Sequence, residues 1–361
     1  MQIGIVGFPY SGKTTFFQTL TGASIDAGSM HKRDANQAII KVPDERLEKL
    51  TAIFNPKKKI NATIDFVDFA GVQKNDTNKT AFDTAFMTKV RTNDALIHVV
   101  RGFEDDSVPH IEGSINMLRD IRTLEDEFMI NDLAFCESRL KKLDLDILKN
   151  KNKDQALKEK AVIEKWFDAL QNETPLRALD FNDEEEKLIR NYQLLTAKPL
   201  LIALNLAESD IDKAADITKH LNEEFSGTNI GIEPFFAKIE MELAELDDEE
   251  KEIFMEEYGL RESALSRLIR SAYSLLGVIS FFTVGEDECR AWPIKKGFTA
   301  QEAAGTIHTD FYNKFIRAEV ISYDDFMQYG SFAACKEHGV FRLEGKEYIV
   351  NDGDILHVRH G

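Results

Sequence analysis

The eight residues Gly7-Phe8-Pro9-Tyr10-Ser11-Gly12-Lys13-Thr14 fit the pattern G-x-x-x-x-G-K-[ST], and they restrict the fold more than any other stretch of the chain. Ahead of them Ile3, Ile5 and Val6 give the short apolar run of a buried strand. Behind them Thr15 to Leu20 can begin a helix with Phe16, Phe17 and Leu20 facing inward. Strand, glycine loop, helix is the context in which this pattern holds phosphate. The loop's backbone N–H groups and the helix N-terminus converge on one spot and favour an anion there. Gly7 and Gly12 let the main chain approach with no Cβ in the way. The pattern assigns Tyr10, Ser11, Gly12, Lys13, Thr14 and Thr15 to the phosphates: Lys13 reaches the β- and γ-phosphates, and the Thr14 hydroxyl ligands Mg²⁺. A plain glycine turn is the alternative, and the flanking pattern argues against it.

Apolar runs expected as strands recur at 3–6, 38–42, 63–67, 95–100, 200–204 and 233–236. Helical patterns alternate with most of them, which predicts an α/β fold with a largely parallel sheet. The third run leads into Asp68-Phe69-Ala70-Gly71. Asp68 there can hold the Mg²⁺ shell, and the Gly71 N–H can sense a γ-phosphate. D-x-x-G alone is common by chance; about 60 residues after a phosphate loop, at a strand's end, it gains weight. His98, inside a strand run, reads as a satisfied core or edge histidine.

The run 200–204 leads into Asn205-Leu206-Ala207-Glu208, where a GTPase would show N-K-x-D. In that motif the aspartate takes two hydrogen bonds from guanine, and the lysine stem lies along the base. Glu208 adds a methylene and Leu206 offers the base an apolar neighbour, so guanine preference should weaken. An ordinary polar loop is the alternative reading. Ala237-Lys238, after the next strand, stands where a further base-contacting loop belongs.

Residues 124–192 have a different texture. Leu133, Cys136, Leu140, Leu143 and Ile147 follow the spacing of a coiled-coil seam, and Ala156, Ile163, Phe167 and Leu170 supply a returning helix. The first helix, roughly 26 residues, would reach on the order of 39 Å. At its turn Lys149, Lys151 and Lys153 begin a basic cluster continued by Lys158 and Lys160. The cluster is either a solvated charge run or a docking tip. The net charge of −18 repels nucleic acid, so any such contact needs a local basic patch of this kind. Asp247-Asp248-Glu249-Glu250 reads as the opening of a helix. From about Val278, runs at 278–284, 317–321, 340–343, 347–350 and 355–358 read as short strands with a helix from Ala300 to Thr306, a small α+β module.

Cys136, Cys289 and Cys335 are scattered, which suits a reducing cytosol and argues against a disulfide framework or a structural zinc. The eight histidines include no H-E-x-x-H, so no metal beyond Mg²⁺ is expected. The apolar runs fall short of a membrane span. Met1 leads straight into the first strand, so neither a signal peptide nor a membrane partner is expected and a cytoplasmic location is.

Together these residues resemble the Obg-like ATPases, the YchF group, over essentially the whole chain. The resemblance rests on the phosphate loop, on Ile64 to Gly71 and on Ala95 to Phe103. It continues in Leu195 to Pro199 leading into Asn205 to Glu208, in Ala237 to Glu240, and in the tail at Arg290 to Gly297, Ile307 to Phe311 and Ile321 to Phe326. It implies a Ras-like P-loop NTPase domain (1–123 and 193–277), a coiled-coil helical hairpin inserted into it (124–192), and a C-terminal β-grasp TGS domain (278–361). It also implies ATP preferred over GTP, slow hydrolysis with Mg²⁺, and association with the ribosome. The hairpin tip and the TGS domain would make that contact, and rRNA is one surface a basic tip could meet. In the family the N-x-x-E segment surrounds adenine, which carries onto Asn205, Leu206 and Glu208; the aromatic after the strand ending in Val100 carries onto Phe103. Lys13 and Gly71 are then the candidate catalytic residues, and Thr14 and Asp68 the candidate metal ligands.

The chain departs from the family's pattern in places. Tyr10 replaces the Asn that helps hold K⁺ in related potassium-stimulated NTPases, so the resemblance does not carry that stimulation over. Lys32 falls where a switch threonine would ligand Mg²⁺, and Asn75 to Thr80 replace a glycine-rich run. Val72 follows Gly71, so the water-orienting glutamine of many GTPases is missing, a hydrophobic replacement the family shares; Gln73, one place on, points elsewhere unless the loop is rearranged. Two other readings stay open, a nucleotide-binding module that scarcely hydrolyses and a GTP-preferring NTPase. A small-molecule kinase would lack N-x-x-E and the β-grasp tail, and ranks last. Oligomeric state is not legible here.

Overall fold

The computed structural model describes residues 1–23, 37–69, 84–105, 107–260 and 262–361. The chain forms two compact units, Met1–Ala38 with Asp65–Leu268, and Ile39–Ile64 with Ile269–Gly361. Among the described residues no helix is long and apolar enough to cross a membrane.

The first unit is built on a sheet whose strands lie in the order Gln37–Lys41, Thr63–Asp68, Gln2–Val6, Ala95–Gly102, Leu200–Leu206 and Ile230–Phe235. From Thr63–Asp68 onward every neighbouring pair is parallel. Every residue of Leu200–Leu206 is buried, and so is all of Ala95–Gly102 except its last. That is why these two read as unbroken apolar runs: a parallel strand covered on both faces has no solvent side to show. Gln2–Val6 lies between Thr63–Asp68 and Ala95–Gly102, so the chain first builds the sheet outward on one side of it and then crosses over to build the other side. This reversal opens a crevice at the carboxyl ends, where ligands bind in sheets of this type. The register brings the functional segments to that edge, pairing Ile5 with Asp68, Val6 with His98 and Arg101 with Asn205.

The helix Met117–Leu148 is 32 residues long, about 48 Å, rather than the roughly 26 expected. It starts at Asn116, whose side chain accepts from the Arg119 N–H, and runs through residue 124 without a break. The reason is that it serves two cores. Ile121, Leu124 and Phe128 pack against Val6, Leu96 and Leu204 of the sheet. Further out, Cys136 and Leu143 meet Ala156, Ile163, Trp166 and Leu170 of the returning helix Lys153–Gln171, with Leu133, Leu140 and Ile147 beside them. The turn between the helices uses Asn150 and Asn152 at φ 54° and 47°, a left-handed conformation that asparagine tolerates. Leu148 and Lys149 to Lys153 are exposed there. The acidic run opens the helix Asp248–Glu257, with Asp247 and Glu250 forming a reciprocal cap.

The second unit's sheet runs Arg342–Glu344, Phe315–Ser322, Asp354–His360, Val278–Thr283, Glu288–Lys295 and Lys58–Ile60. Asp354–His360 pairs parallel with Val278–Thr283 between antiparallel neighbours. The helix Ala300–Ile307 lays Ala300 and Ala303 against Phe281, Trp292, Val320 and Leu356. This is the β-grasp arrangement. Residues 39–64 group here, although both ends of the segment lie in strands of the first sheet, because Lys58–Ile60 between them adds a parallel strand beside Glu288–Lys295. The run 347–350, expected as a strand, makes only a bridge from Ile349 to Thr299. Glu288–Lys295 was not expected; its charges and Pro293 mask the strand pattern.

Candidate functional site

The segment after Gln2–Val6 turns back over the sheet's carboxyl edge. Gly7 sits at φ 146° and Gly12 at φ 95°. A Cβ on Gly7 would lie 2.4 Å from the Val99 carbonyl oxygen, and one on Gly12 would lie 2.2 Å from Asn205 Nδ2. No side chain fits at either place. Tyr10 takes φ 63° with an exposed ring, a conformation costing a non-glycine residue on the order of 1 kcal/mol. The Phe16 N–H donates to the Gly12 carbonyl at 2.8 Å, so Lys13–Ala23 begins with its free N–H groups at the loop. Thr14 is exposed on the first turn, and Thr15 is half-buried behind it.

Lys13 is the most constrained of these side chains. Its buried ammonium donates to the carbonyls of Gly7 at 2.8 Å and Phe8 at 2.6 Å. An ammonium has three protons, so one remains for a ligand. Burial lowers its pKa to about 8, against the opposing pull of the Asp68 charge. Burial likewise raises the Asp68 carboxyl, countered by Lys13. Among the described residues Asp68 Oδ1, Ser11 Oγ and both ring nitrogens of His98 have no hydrogen-bond partner. Unpaired buried polar atoms cost free energy, and these four lie around the loop, while others, such as Trp166 Nε1 and Arg177 Nε, lie far from it in sequence. A triphosphate with Mg²⁺ fits this set: amides and an ammonium for the anion, hard oxygens on Thr14 and Asp68 for the cation.

His98 corrects the sequence expectation. It is buried under the loop, its Cδ2 3.4 Å from where a Gly7 Cβ would be, and it is not satisfied. Burial, aided by the Lys13 charge, drives its pKa to about 3, so the ring is neutral at physiological pH.

The base side is assembled from three loops. Asn205 is 3% exposed and acts as a brace: its Nδ2 donates to the Ser11 carbonyl at 3.1 Å, and its Oδ1 accepts from the Ala237 N–H at 3.2 Å. Its side chain thus ties the phosphate loop to the loop at Ala237. Leu206 is buried in the sheet core, its Cδ2 2.6 Å from where a Gly102 Cβ would lie. Glu208 opens a short 3-10 segment, 38% of its side chain exposed, with Oε1 accepting from the Tyr258 hydroxyl at 2.7 Å and Oε2 3.8 Å from Lys238 Nζ. Gly102 pairs with Leu206, so Phe103 follows on the neighbouring strand. The Arg101 guanidinium lies 4.7 Å from the Phe103 ring centroid, and its Nε donates to the Phe103 carbonyl at 3.1 Å.

Gly71 lies outside the described residues, as do Lys32, Val72, Gln73 and residues 75–80. Tyr258 was missed by sequence reasoning. It stands 50 positions from Glu208, and no spacing rule links them.

The family profile of the YchF-GTPase C-terminal region, described as a protein of unknown function, matches residues 278–361, and that of the 50S ribosome-binding GTPases matches residues 2–134. The chain is 41% identical to the ribosome-binding ATPase YchF of Bacillus subtilis (strain 168), over 99% of each protein. It is 40% identical to the protein of that name from Escherichia coli O157:H7, over 98% of each. Obg-like ATPase 1 of Rattus norvegicus is 36% identical over 99% of this chain and 91% of its own length. The solved structure of the Schizosaccharomyces pombe YchF GTPase matches with a TM-score of 0.89 at 33% identity, over 99% of this chain and 97% of that one.

Proposed function

The chain belongs to the YchF group of Obg-like ATPases, and from that premise we propose that it binds ATP with Mg²⁺, hydrolyses it slowly in preference to GTP, and works as a nucleotide-dependent switch on the ribosome in the cytoplasm. One observation carries the nucleotide reading. The buried Lys13 ammonium has two of its protons on loop carbonyls and the third free, beside the unpartnered Asp68 and Ser11 oxygens.

In this reading the loop amides and the helix N-terminus hold the β- and γ-phosphates, and Lys13 stabilises the charge that builds on them in the transition state. Thr14 and Asp68 hold Mg²⁺, which neutralises phosphate charge. The Gly71 N–H follows the γ-phosphate. Asn205 keeps the loop in register with the purine site, where Glu208 and Phe103 lie and which Leu206 backs from the core. None of these residues serves as a general base. Catalysis rests on positioning and charge, which accords with slow turnover. The basic tip at Lys149 to Lys153 and the C-terminal β-grasp unit supply the ribosome contact, the tip reaching rRNA.

Single-turnover hydrolysis of ATP and of GTP, with Lys13→Ala as the control, tests this reading. ATP cleavage faster than GTP cleavage, lost in Lys13→Ala, is the expected result; faster GTP cleavage overturns the specificity. A second reading, a module that holds nucleotide without cleaving it, is favoured by Lys32 in the place of the switch threonine and by Asn75 to Thr80 in the place of a glycine-rich run. Nucleotide bound but uncleaved after a long incubation would select it.

A further inference from the structure

Glu208 stands where a guanine-reading carboxylate would be, and its environment limits what it can offer. It follows the fully buried strand Leu200–Leu206 by two residues, so its backbone is fixed. Oε1 accepts from the Tyr258 hydroxyl at 2.7 Å. Among the described residues the cation beside Oε2 is Lys238, its Nζ 3.8 Å away on a side chain that is 76% exposed. Tyr258 itself is held firmly. It follows the helix Asp248–Glu257, its N–H bonded to the Phe254 carbonyl at 3.2 Å and its ring tilted against Phe254 at 4.7 Å between centroids. Phe254, Met255, Tyr258 and Leu260 pack on the core of the first unit.

We propose that Tyr258 sets the base preference of this site by fixing the orientation of the Glu208 carboxylate, with one oxygen held against the Tyr258 hydroxyl and the other left to meet the purine. The inference rests on the adenine reading above and deepens it. Guanine presents two adjacent donors, N1–H and the 2-amino group, and a carboxylate reads them only with both oxygens available. Adenine presents one donor, its 6-amino group, beside an acceptor nitrogen. A carboxylate with one oxygen held against the Tyr258 hydroxyl suits the single adenine amino donor and leaves a guanine donor unpaired. The hydroxyl remains a donor throughout the working pH range, since its bond to Glu208 pushes the Tyr258 pKa up to about 12.

The test compares Mg-ATP and Mg-GTP affinities of the full chain by calorimetry, in the wild type, Tyr258→Phe, Glu208→Gln and the double variant. Tyr258→Phe removes one oxygen and keeps the packed ring. Freeing the carboxylate should lower the ATP-to-GTP affinity ratio about tenfold, the size of one hydrogen bond to a charged group. In the Glu208→Gln background the same change should move the ratio less than about twofold, because Tyr258 acts through the carboxylate. A lost fold cannot produce that pattern, since it weakens both nucleotides alike. A wild type that binds GTP as well as ATP rejects the adenine reading itself. A wild type preferring ATP by the same ratio as Tyr258→Phe rejects only the role of Tyr258. An equal shift in both backgrounds means that Tyr258 meets the base directly, and overturns the inference as stated.

Discussion

Lys13 shows how much one buried charge decides. Burial disfavours its ammonium and lowers the pKa to about 8, from the ordinary lysine value of 10.5. The unfolded chain therefore binds more protons than the folded one between these two values. Burying the charge costs on the order of 3 kcal/mol below pH 8, and the cost is relieved as pH rises toward 10.5. A bound triphosphate supplies the missing negative charge and returns the proton. ATP binding should thus take up protons near pH 8.5 and weaken as pH rises further. Calorimetry in two buffers of different ionisation enthalpy reads the uptake, and the same heat in both would contradict it. At this scale the sequence was most legible where chemistry is local: Gly7, Gly12 and Lys13 were identifiable because a loop of eight residues folds on itself. Leu206, expected beside the base, has its side chain in the core. Asn205, expected around adenine, uses both polar side-chain atoms on the loops at Ser11 and Ala237. Those partners come from distant segments, which spacing does not reveal.

Among the elements, the long helix Met117–Leu148 links the arm to the nucleotide unit. Asp132, fully buried, accepts from the N–H groups of Leu195 at 3.1 Å and Thr196 at 2.8 Å and from the Thr196 hydroxyl at 2.8 Å. Glu125 is paired with Arg177, whose N–H donates to the Thr196 carbonyl at 2.9 Å. These four hydrogen bonds thus meet at Leu195-Thr196, just ahead of the strand that ends in Asn205 and Leu206. Arg177→Met strands the Glu125 carboxylate in the interior and should cost about 3–5 kcal/mol in urea unfolding; a loss below about 1 kcal/mol would show that the pair contributes little. The exposed tip behaves differently. Replacing Lys149, Lys151 and Lys153 with glutamate should leave stability within about 0.5 kcal/mol yet reduce co-sedimentation with ribosomes. Undiminished sedimentation would remove the tip from the interface. The heptad seam was legible from Leu133 to Ile147, because hydrophobic period encodes helix pairing directly. The helix start was not, since Ile121, Leu124 and Phe128 face a different core and break the seam's phase.

Across the whole molecule, the parallel sheet could be read from its strands because unbroken apolar runs of four to eight residues, alternating with helical patterns, leave few other topologies. The β-grasp unit was read as a small α+β module, with its name supplied by the resemblance. The recruitment of residues 39–64 was hidden, because Lys58–Ile60 is short, charged and joined to its sheet by backbone alone. The account's central proposition is that two separated pieces of chain, the loop at 7–15 and the segment at 205–208, grip the two ends of one adenine nucleotide. A crystal structure of the full chain with a non-hydrolysable ATP analogue and Mg²⁺ tests this most directly. The predicted result has the γ-phosphate within hydrogen-bond distance of Lys13 Nζ and the purine amino group against Glu208 Oε2. A nucleotide bound away from the loop, or a purine turned away from Glu208, would contradict it.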